Sequence, residues 1–414
     1  MSSKLNDSRL LLSFSGKLGL HQKIFLISIC LSLGLGKWGA WIGIPNLGIF
    51  LIDVMFFSSV FIYSFGKRTE AKYPRTISII VLLFISFQFI RSQNMPFPLV
   101  LRDLLPYIYL VSLPFQIDLI RSLSWKDLIS IMRLGVLINL IWTIPITIGI
   151  LKPITILSSY FGVPIFTSRY DLTGIILSLG ILVFGNFRNY GLRSSSTLRL
   201  ICIALGLLQS SRAATIAVLL SLLFVISQSS WYQKRRIIFW SSLVLTILIC
   251  TVSIFPNVFE SLTSNSSLTR FGLIGDNSFL TQSANSTSAA RVRAAEKLLT
   301  WFDNQDQLLM GVGPGIEMVQ LSGAVANLSG SVEVRAPHNW FIGLFVRYGI
   351  VGTIIWVGVV LHGFYLSRNA RNWLWRVEIL IICLVAGMGV IIESPFGSLP
   401  FSFLLAITFT QRER

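Results

Sequence analysis

Apolar runs of about 15–25 residues recur along most of the chain, and short polar or basic segments separate them. A helix of that length crosses about 30 Å of hydrocarbon. Polar and apolar positions do not alternate within the runs, as they would in the strands of a membrane barrel. The pattern therefore predicts an all-α polytopic membrane protein.

The runs predict about twelve transmembrane helices. Most are expected at about 24–36, 47–65, 76–90, 99–117, 128–150, 171–187, 237–255, 338–366, 377–392 and 396–410. The apolar run 198–227 is interrupted near its centre by Gln209, Ser210, Ser211 and Arg212. A charge at mid-bilayer costs several kcal/mol, so two helices that meet at an external turn fit this run better than one helix.

Basic residues occur in short clusters between the apolar runs, and roughly twenty of the 34 can be placed on one side of the membrane. The positive-inside rule makes that side cytoplasmic and places both termini there. The expected organisation is transmembrane helices 1–9 in residues 1–255, an external periplasmic loop containing helices in 256–337, and transmembrane helices 10–12 in 338–414. A shorter external segment is expected at about 152–170.

Composition agrees with a chain embedded in a lipid bilayer. Hydrophobic residues make up 53% of the sequence and charged residues 12%, which is more apolar surface than a soluble protein of 414 residues can bury. The net charge of +17 is not gathered into one patch with interleaved aromatics, so no nucleic-acid partner is expected. The cysteines and carboxylates show no metal-ligand spacing, so neither a metal site nor another cofactor is expected.

One histidine is a candidate base. Of the three histidines, only His338 is external in this topology, and it precedes a predicted helix in the string RAPHNWFIGLFVRYGIVG. The N-terminus of a helix favours an anionic ligand and the neutral form of an adjacent histidine. The alternative interpretation is an interfacial helix cap formed by His338 and Asn339.

The external loop contains two arginines in a predicted helix, SAARVRAAEKLLTWF. Its predicted apolar face consists of Val292, Ala295, Leu299 and Phe302. Arg291 lies about 50° from the centre of this face and Arg293 about 150° from it. Arg291 is therefore expected to point towards protein or membrane, where a guanidinium binds phosphate or extends to lipid headgroups. Arg293 is expected to be a solvated surface charge.

Two further external segments carry candidate residues. Ser211 and Arg212 occupy the turn between the paired helices predicted in the run 198–227. The string LLMGVGPG places glycines around Pro314, but no GK[ST] follows it, so a nucleotide-binding loop is not indicated. We interpret it as a tight turn that returns the loop to the membrane, with direct substrate contact at Gly313 as the alternative.

Four segments in order, SSRAA, the loop arginines with their helix, GVGPG and PHNWFIGLFVRYGIVG, resemble the O-antigen ligase and O-antigen polymerase family of bacterial envelope glycan assembly over roughly 200–352. The resemblance implies a GT-C-like glycosyltransferase of the bacterial inner membrane that uses an undecaprenyl-diphosphate-linked glycan donor, faces the periplasm and needs no metal. It also implies that Arg212 and a loop arginine hold the diphosphate and that His338 activates the acceptor hydroxyl. The loop arginine is Arg291, or Arg293 if the match to the family is shifted by two residues. Further candidates for substrate contact are Ser211, Gly313 and Asn339.

Glycan transfer from a lipid diphosphate needs few protein groups. The donor brings its own leaving group, so the enzyme has to neutralise developing negative charge and take a proton from the acceptor. Arginines and a neutral histidine on one face of the membrane can do both, and arginine can replace a metal ion in holding diphosphate. The main alternative is a transporter or flippase for a lipid-linked saccharide, and a structural scaffold is another. The pattern leaves open whether the acceptor is a glycan or a lipid, which sugar is moved, and the oligomeric state.

Overall fold

The computed structural model describes residues 18–44, 49–66, 72–155, 164–185, 192, 194–209, 211–228, 277–328, 337–366, 374–389 and 391–410. Regular structure in these ranges is almost entirely helical. A two-stranded antiparallel hairpin, β1 (Gly43–Ile44) and β2 (Ile49–Phe50), is a small departure from the all-α prediction. The helical fold class is otherwise as expected from the long apolar runs.

The helices vary from single turns to long apolar rods. They are α1 (Leu20–Leu35), α2 (Leu51–Gly66), α3 (Lys72–Arg91), α4 (Phe97–Val111), α5 (Leu113–Arg121), α6 (Trp125–Thr147), α7 (Tyr170–Val183), α8 (Ser196–Leu208), α9 (Arg212–Gln228), α10 (Asn277–Asp303), α11 (Met318–Leu321), α12 (Val325–Leu328), α13 (Trp340–Leu366), α14 (Leu374–Ala386) and α15 (Pro395–Thr410). Two short 3-10 segments, Gly36–Trp41 and Ile391–Glu393, flank α1 and α15.

The predicted break in the run 198–227 is confirmed, because α8 ends at Leu208 and α9 begins at Arg212. Two other predicted helices differ from the structure. The helix expected at 99–117 is split into α4 and α5, which are bent by 45° where Pro114 cannot donate a backbone hydrogen bond. The helix expected at 377–392 ends at Ala386, because Gly387 and Gly389 follow it.

Within the described ranges, three helical stretches are each long and apolar enough to cross a membrane: Leu20–Trp41, Trp125–Thr147 and Trp340–Leu366. The bent pair α4 and α5 makes a fourth if it is counted as one span, and further apolar helices are shorter. These helices indicate a multi-pass membrane protein. The count of twelve stays a prediction, and the helix predicted at 237–255 lies outside the described residues.

Neighbouring helices bring several of their termini to one end of the bundle. The N-termini of α7 and α9 lie at the same level, because a Cβ added to Gly174 would be 2.3 Å from the Cα of Ala214. Gln209, between α8 and α9, donates a hydrogen bond of 3.4 Å to the Thr147 hydroxyl at the end of α6. The ends of α6 and α8 and the starts of α7 and α9 therefore lie together.

Contacts from the later helices reach the same end. A Cβ on Gly389, just after α14, would lie 2.6 Å from Oδ2 of Asp171 at the start of α7. The carbonyl of Gly389 accepts a 3.0 Å hydrogen bond from the amide of Trp340, the first residue of α13. Arg347 of α13 forms an ion pair of 3.3 Å with Asp103 of α4. We call this end of the bundle, where these five residues lie, the site end.

Candidate active site

His338 lies at the site end, immediately before α13. Its neighbour Asn339 caps the helix, because Asn339 Oδ1 accepts a 3.2 Å hydrogen bond from the amide of Ile342. His338 forms no hydrogen bond with any residue that the structure describes, so its ring does not contribute to the cap. Its φ of 35° is unusual for a residue other than glycine, and the fold maintains this strained conformation beside the cap.

The surroundings of His338 favour its neutral form. Burial lowers the pKa of His338 most, and the positive charges of Arg291 and Arg169 lower the pKa further. The carboxylate of Asp171 opposes this shift. The sequence predicted a neutral histidine from its place at a helix N-terminus, whereas these larger causes come from distant segments of the chain. A partly buried, neutral imidazole can accept a proton from a bound hydroxyl group.

Arg169 and Asp171 form a fork at the start of α7. The distances are 2.9 Å from Nε of Arg169 to Oδ1 of Asp171 and 3.1 Å from Nη2 to Oδ2. This paired geometry fixes the orientation of the guanidinium whose charge acts on His338. Neither residue was among the predicted site residues, although an Arg-x-Asp pair that ends a predicted external segment and opens an apolar helix is a usable signal.

Arg291 reaches the same region from the loop helix α10. Its Nη1 donates a 3.5 Å hydrogen bond to the carbonyl of Met388, the residue before Gly389. Both Arg291 and Arg293 are exposed, but the charge acting on His338 comes from Arg291. The part that Arg291 or Arg293 takes in binding a ligand stays a prediction.

The predicted apolar face of this loop helix is partly wrong. Val292 and Leu299 are 58% and 39% exposed, whereas the buried residues are Ala294, Leu298 and Phe302. Phe302, which the predicted face also contained, packs edge-on against Phe345 of α13, with ring centroids 5.4 Å apart. Arg291 precedes Ala294 and Leu298 by three and seven positions, so it lies on the side of α10 that faces the bundle.

Arg212 is the first residue of α9 and is partly buried. The carbonyl of Ser211 accepts a 3.2 Å hydrogen bond from the Thr215 amide in the first turn. Because Ala214 packs on Gly174, Arg212 lies about level with Asp171 at the site end. The fold thus places Arg212 at the same end as His338 and Arg291, as the sequence predicted, while diphosphate binding and substrate contact by Ser211 stay predictions.

A second charged cluster, the Arg347 cluster, lies deeper at the site end. The guanidinium of Arg347 is 3.3 Å from Asp103 Oδ2 and 3.4 Å from Glu393 Oε1. Asp103 Oδ2 also accepts a 2.8 Å hydrogen bond from the amide of Gly315. Burial raises the pKa of Glu393, and the charge of Arg347 opposes that shift. The cluster holds together α4, α13, the 3-10 segment before α15 and the glycine-rich turn.

The glycine-rich turn, residues 308–315, fills a kink in α13. Gly349 has φ 64° and ψ −164°, which interrupts the helical hydrogen bonds. Backbone groups on both sides of the kink bond instead to the turn, in the pairs Val312 N to Val346 O, Gly313 N to Arg347 O, Ile350 N to Leu308 O and Val351 N to Leu309 O, at 2.9–3.0 Å. These four bonds take the place of helical hydrogen bonds that the kink interrupts.

Two of these glycines allow the close approach. A Cβ on Gly349 would lie 2.4 Å from the carbonyl oxygen of Leu309, and a Cβ on Gly311 would lie 2.4 Å from the Arg347 carbonyl. Gly311 also has φ 70°, which favours glycine. The segment is a tight turn, as predicted, and it packs on α13. Gly313 is buried there, and its predicted contact with substrate stays a prediction.

Taken together, the apolar helices and the site define a multi-pass membrane protein with a histidine and several arginines gathered at one end of its bundle. Residues 197–357 match the family model described as O-Antigen ligase, which confirms the predicted resemblance to the O-antigen ligase and polymerase family over this segment. The match indicates O-antigen ligase-like membrane glycosyltransferase activity. No curated protein matches the chain.

The matched segment includes Arg212, Arg291, Arg293, Gly313, His338 and Asn339. The site also uses residues on either side of it. Arg169, Asp171 and Asp103 precede the match, and Met388, Gly389 and Glu393 follow it. Among the residues that the structure describes, no group of three or more histidine, cysteine or acidic side chains has the geometry of a metal site.

Proposed function

We propose that this protein transfers a glycan from undecaprenyl diphosphate to an acceptor hydroxyl at the outer face of the bacterial inner membrane. The position of His338 carries the proposal. It is partly buried, it does not cap α13, and the neighbouring guanidinium groups of Arg291 and Arg169 favour its neutral form. A base and fixed positive charges side by side are what such a transfer requires.

In the proposed reaction the acceptor oxygen attacks the anomeric carbon of the donor glycan. The bond from that carbon to the diphosphate oxygen breaks, and its electron pair leaves with undecaprenyl diphosphate. Nε2 or Nδ1 of His338 takes the hydroxyl proton, so charge does not build up on the acceptor oxygen. The acceptor is a glycan or a lipid, and both chemistries need the same base.

The leaving diphosphate gains negative charge, and arginines at the site end would stabilise it. Arg291 and Arg212 approach from different helices, while Asp171 holds Arg169 in a fixed orientation. A guanidinium stays protonated and offers parallel N–H groups to phosphate oxygens. We therefore propose a metal-independent transfer in which Arg293 does not bind the diphosphate.

The site end is proposed to face the periplasm, with twelve transmembrane helices and both termini cytoplasmic. The opposite end of the bundle supports this orientation because basic residues gather there. Gln22 at the start of α1 hydrogen-bonds Ser122 at 2.8 Å, beside Arg121 and Lys126. This is the distribution that the positive-inside rule gives a cytoplasmic face. The proposed domain limits, 1–255, 256–337 and 338–414, follow from the same topology.

The function can be tested with the full-length protein in proteoliposomes containing a synthetic undecaprenyl-diphosphate glycan and candidate acceptors. Wild-type protein is expected to form the glycosidic product and release undecaprenyl diphosphate. His338→Gln should abolish most of this transfer, whereas His362→Gln, in the distal part of α13, serves as the matched control and should not. Movement of the intact lipid-linked glycan across the bilayer without product would instead support a flippase.

Metal removal tests the role given to arginine. Transfer by purified protein should survive incubation with EDTA, because fixed guanidinium groups neutralise the diphosphate. Loss of transfer in EDTA that a divalent cation restores would contradict metal independence. The same preparation should retain its unfolding temperature, which separates a catalytic effect from a structural one.

A further inference from the structure

An apolar groove lies between α2 and α4, beside the site end. Its cavity is about 490 Å³, within the range of about 300–1,000 Å³ that is usual for ligand pockets. Its apolar walls are formed by Val54, Phe57 and Phe61 of α2 and by Leu101, Leu105 and Ile108 of α4. A groove lined in this way favours a hydrocarbon chain over a sugar or a peptide.

One wall of the groove is exposed on the outer surface of the bundle. Val54 is 53% exposed and Phe61 is 61% exposed, whereas Leu105 is buried at the floor. In a membrane this exposed surface faces lipid. A hydrocarbon chain can therefore enter the groove sideways, without leaving an apolar environment.

Asp53 also lines the groove, but both oxygens of its carboxylate accept hydrogen bonds from neighbouring protein groups. Oδ1 accepts a hydrogen bond from the hydroxyl of Tyr109, and Oδ2 accepts a 2.9 Å hydrogen bond from the amide of Phe50. These bonds connect α2 to α4 and to β2. Asp53 thus helps to shape the groove.

A positive charge lies on the side of the groove that leads to the site end. Arg102 lines the cavity and is exposed. It immediately precedes Asp103, which belongs to the Arg347 cluster at the site end. A lipid phosphate near Arg102 would therefore lie between the groove and the site end.

We propose that this groove holds part of the polyprenyl chain of a lipid diphosphate, with Arg102 at the side of the groove from which the diphosphate reaches the site end. The proposal rests on the proposed function and makes α2 and α4 the lateral entrance for the donor. A single groove suits one long chain, whereas a glycerophospholipid brings two. The apolar walls match the polyprenyl chain, and the adjacent guanidinium of Arg102 matches its charged end.

Photo-crosslinking tests where the chain binds. The probe is undecaprenyl diphosphate that carries a diazirine on the chain and no glycan, added to full-length protein in nanodiscs of phosphatidylethanolamine and phosphatidylglycerol. Label is expected in peptides from α2 and α4, and unlabelled undecaprenyl diphosphate should displace it. Label confined to other helices, or displaced equally well by extra phosphatidylglycerol, would overturn the proposal.

Two tryptophan variants give a matched comparison. Val54→Trp fills the groove, while Ile80→Trp places the same side chain on α3 outside it, and the two positions are 53% and 49% exposed. Val54→Trp should reduce labelling and raise the donor KM about tenfold with a smaller change in kcat, and Ile80→Trp should do neither. Arg102→Gln should also weaken labelling. Unchanged labelling and KM in Val54→Trp would contradict the proposal.

Labelling does not require transfer, so the two proposals can fail separately. Displaceable label in α2 and α4, in a wild-type protein that transfers no glycan to any acceptor, would refute the proposed function and retain the groove. Glycan transfer with no label in these helices would do the reverse.

Discussion

Two charged clusters at the site end use arginine in different ways. In the Arg347 cluster the side chains of Arg347, Asp103 and Glu393 are only 2%, 7% and 15% exposed, and one guanidinium lies between two carboxylates. Around His338 the side chains are more open, and within the described part of the chain the charges of Arg291 and Arg169 act on it against the carboxylate of Asp171. Burial and charge balance therefore distinguish an arginine that holds the fold from one that can bind an anion.

The two clusters are connected through α13. Arg347 lies nine residues after His338, and it anchors the kinked helix that begins beside the histidine. A rigid support of this kind fixes the position of a catalytic group. Changes in the Arg347 cluster should therefore act on stability, and changes around His338 on catalysis.

The largest effect is expected at His338. His338→Ala should lower the transfer rate by roughly 10²–10⁴, the usual contribution of a general base. Because Asn339 provides the helix cap, the unfolding temperature should stay near that of the wild type. Rates are measured with saturating donor, and unfolding by tryptophan fluorescence in the same detergent. Normal turnover in a folded variant would leave His338 a positioning role at most.

The next effect is one of stability. Arg347→Met should lower the free energy of unfolding by about 3–5 kcal/mol, because it leaves two buried carboxylates without their positive partner. Denaturant titration in detergent measures the change. Arg293→Met is the control, since Arg293 is exposed, and it should alter stability by about 0.5 kcal/mol or less. Equal stability of the two variants would contradict the structural role of Arg347.

The kink of α13 offers a smaller test with a control in the same helix. Gly349→Ala should cost about 1–3 kcal/mol, because Gly349 has a positive φ and its added Cβ would contact the Leu309 carbonyl. Gly358→Ala should be neutral or stabilising, because a Cβ there has nothing within 4 Å. Similar unfolding curves for both variants would show that the kink does not require glycine.

The smallest predicted effect separates the two loop arginines. Arg291→Ala should raise the donor KM about tenfold, the effect of losing a charge-assisted hydrogen bond of about 1.5 kcal/mol. Arg293→Ala should change it little, because Arg293 lies on another side of α10. Steady-state kinetics with varied donor decide between them. If both variants lose donor affinity equally, the argument from the helix face is wrong.

Local periodicity made much of the helical fold predictable. The polar residues from Gln209 to Arg212 predicted the break between α8 and α9, and the structure has it there. The period of an α-helix also separated Arg291 from Arg293, although the buried face of α10 is shifted from the predicted one. These inferences need only residues a few positions apart.

Contacts between distant segments could not be predicted in the same way. Arg169 acts on His338, and Asp103 pairs with Arg347, across large separations along the chain. The kink at Gly349 likewise depends on the turn at 308–315, which supplies its backbone partners. A single sequence reveals which residue types are present and their local period, but not which of them meet in the fold.

The pH dependence of glycan transfer tests the central claim most directly. With saturating donor, the rate should rise with pH as His338 loses its proton, with a midpoint below the ordinary pKa of histidine because burial and two arginines lower that pKa. Arg291→Gln removes one positive charge, so the pKa of His338 and the midpoint should move to higher pH. A midpoint that does not move in Arg291→Gln, or a rising limb that persists unchanged in His338→Gln, would contradict the account.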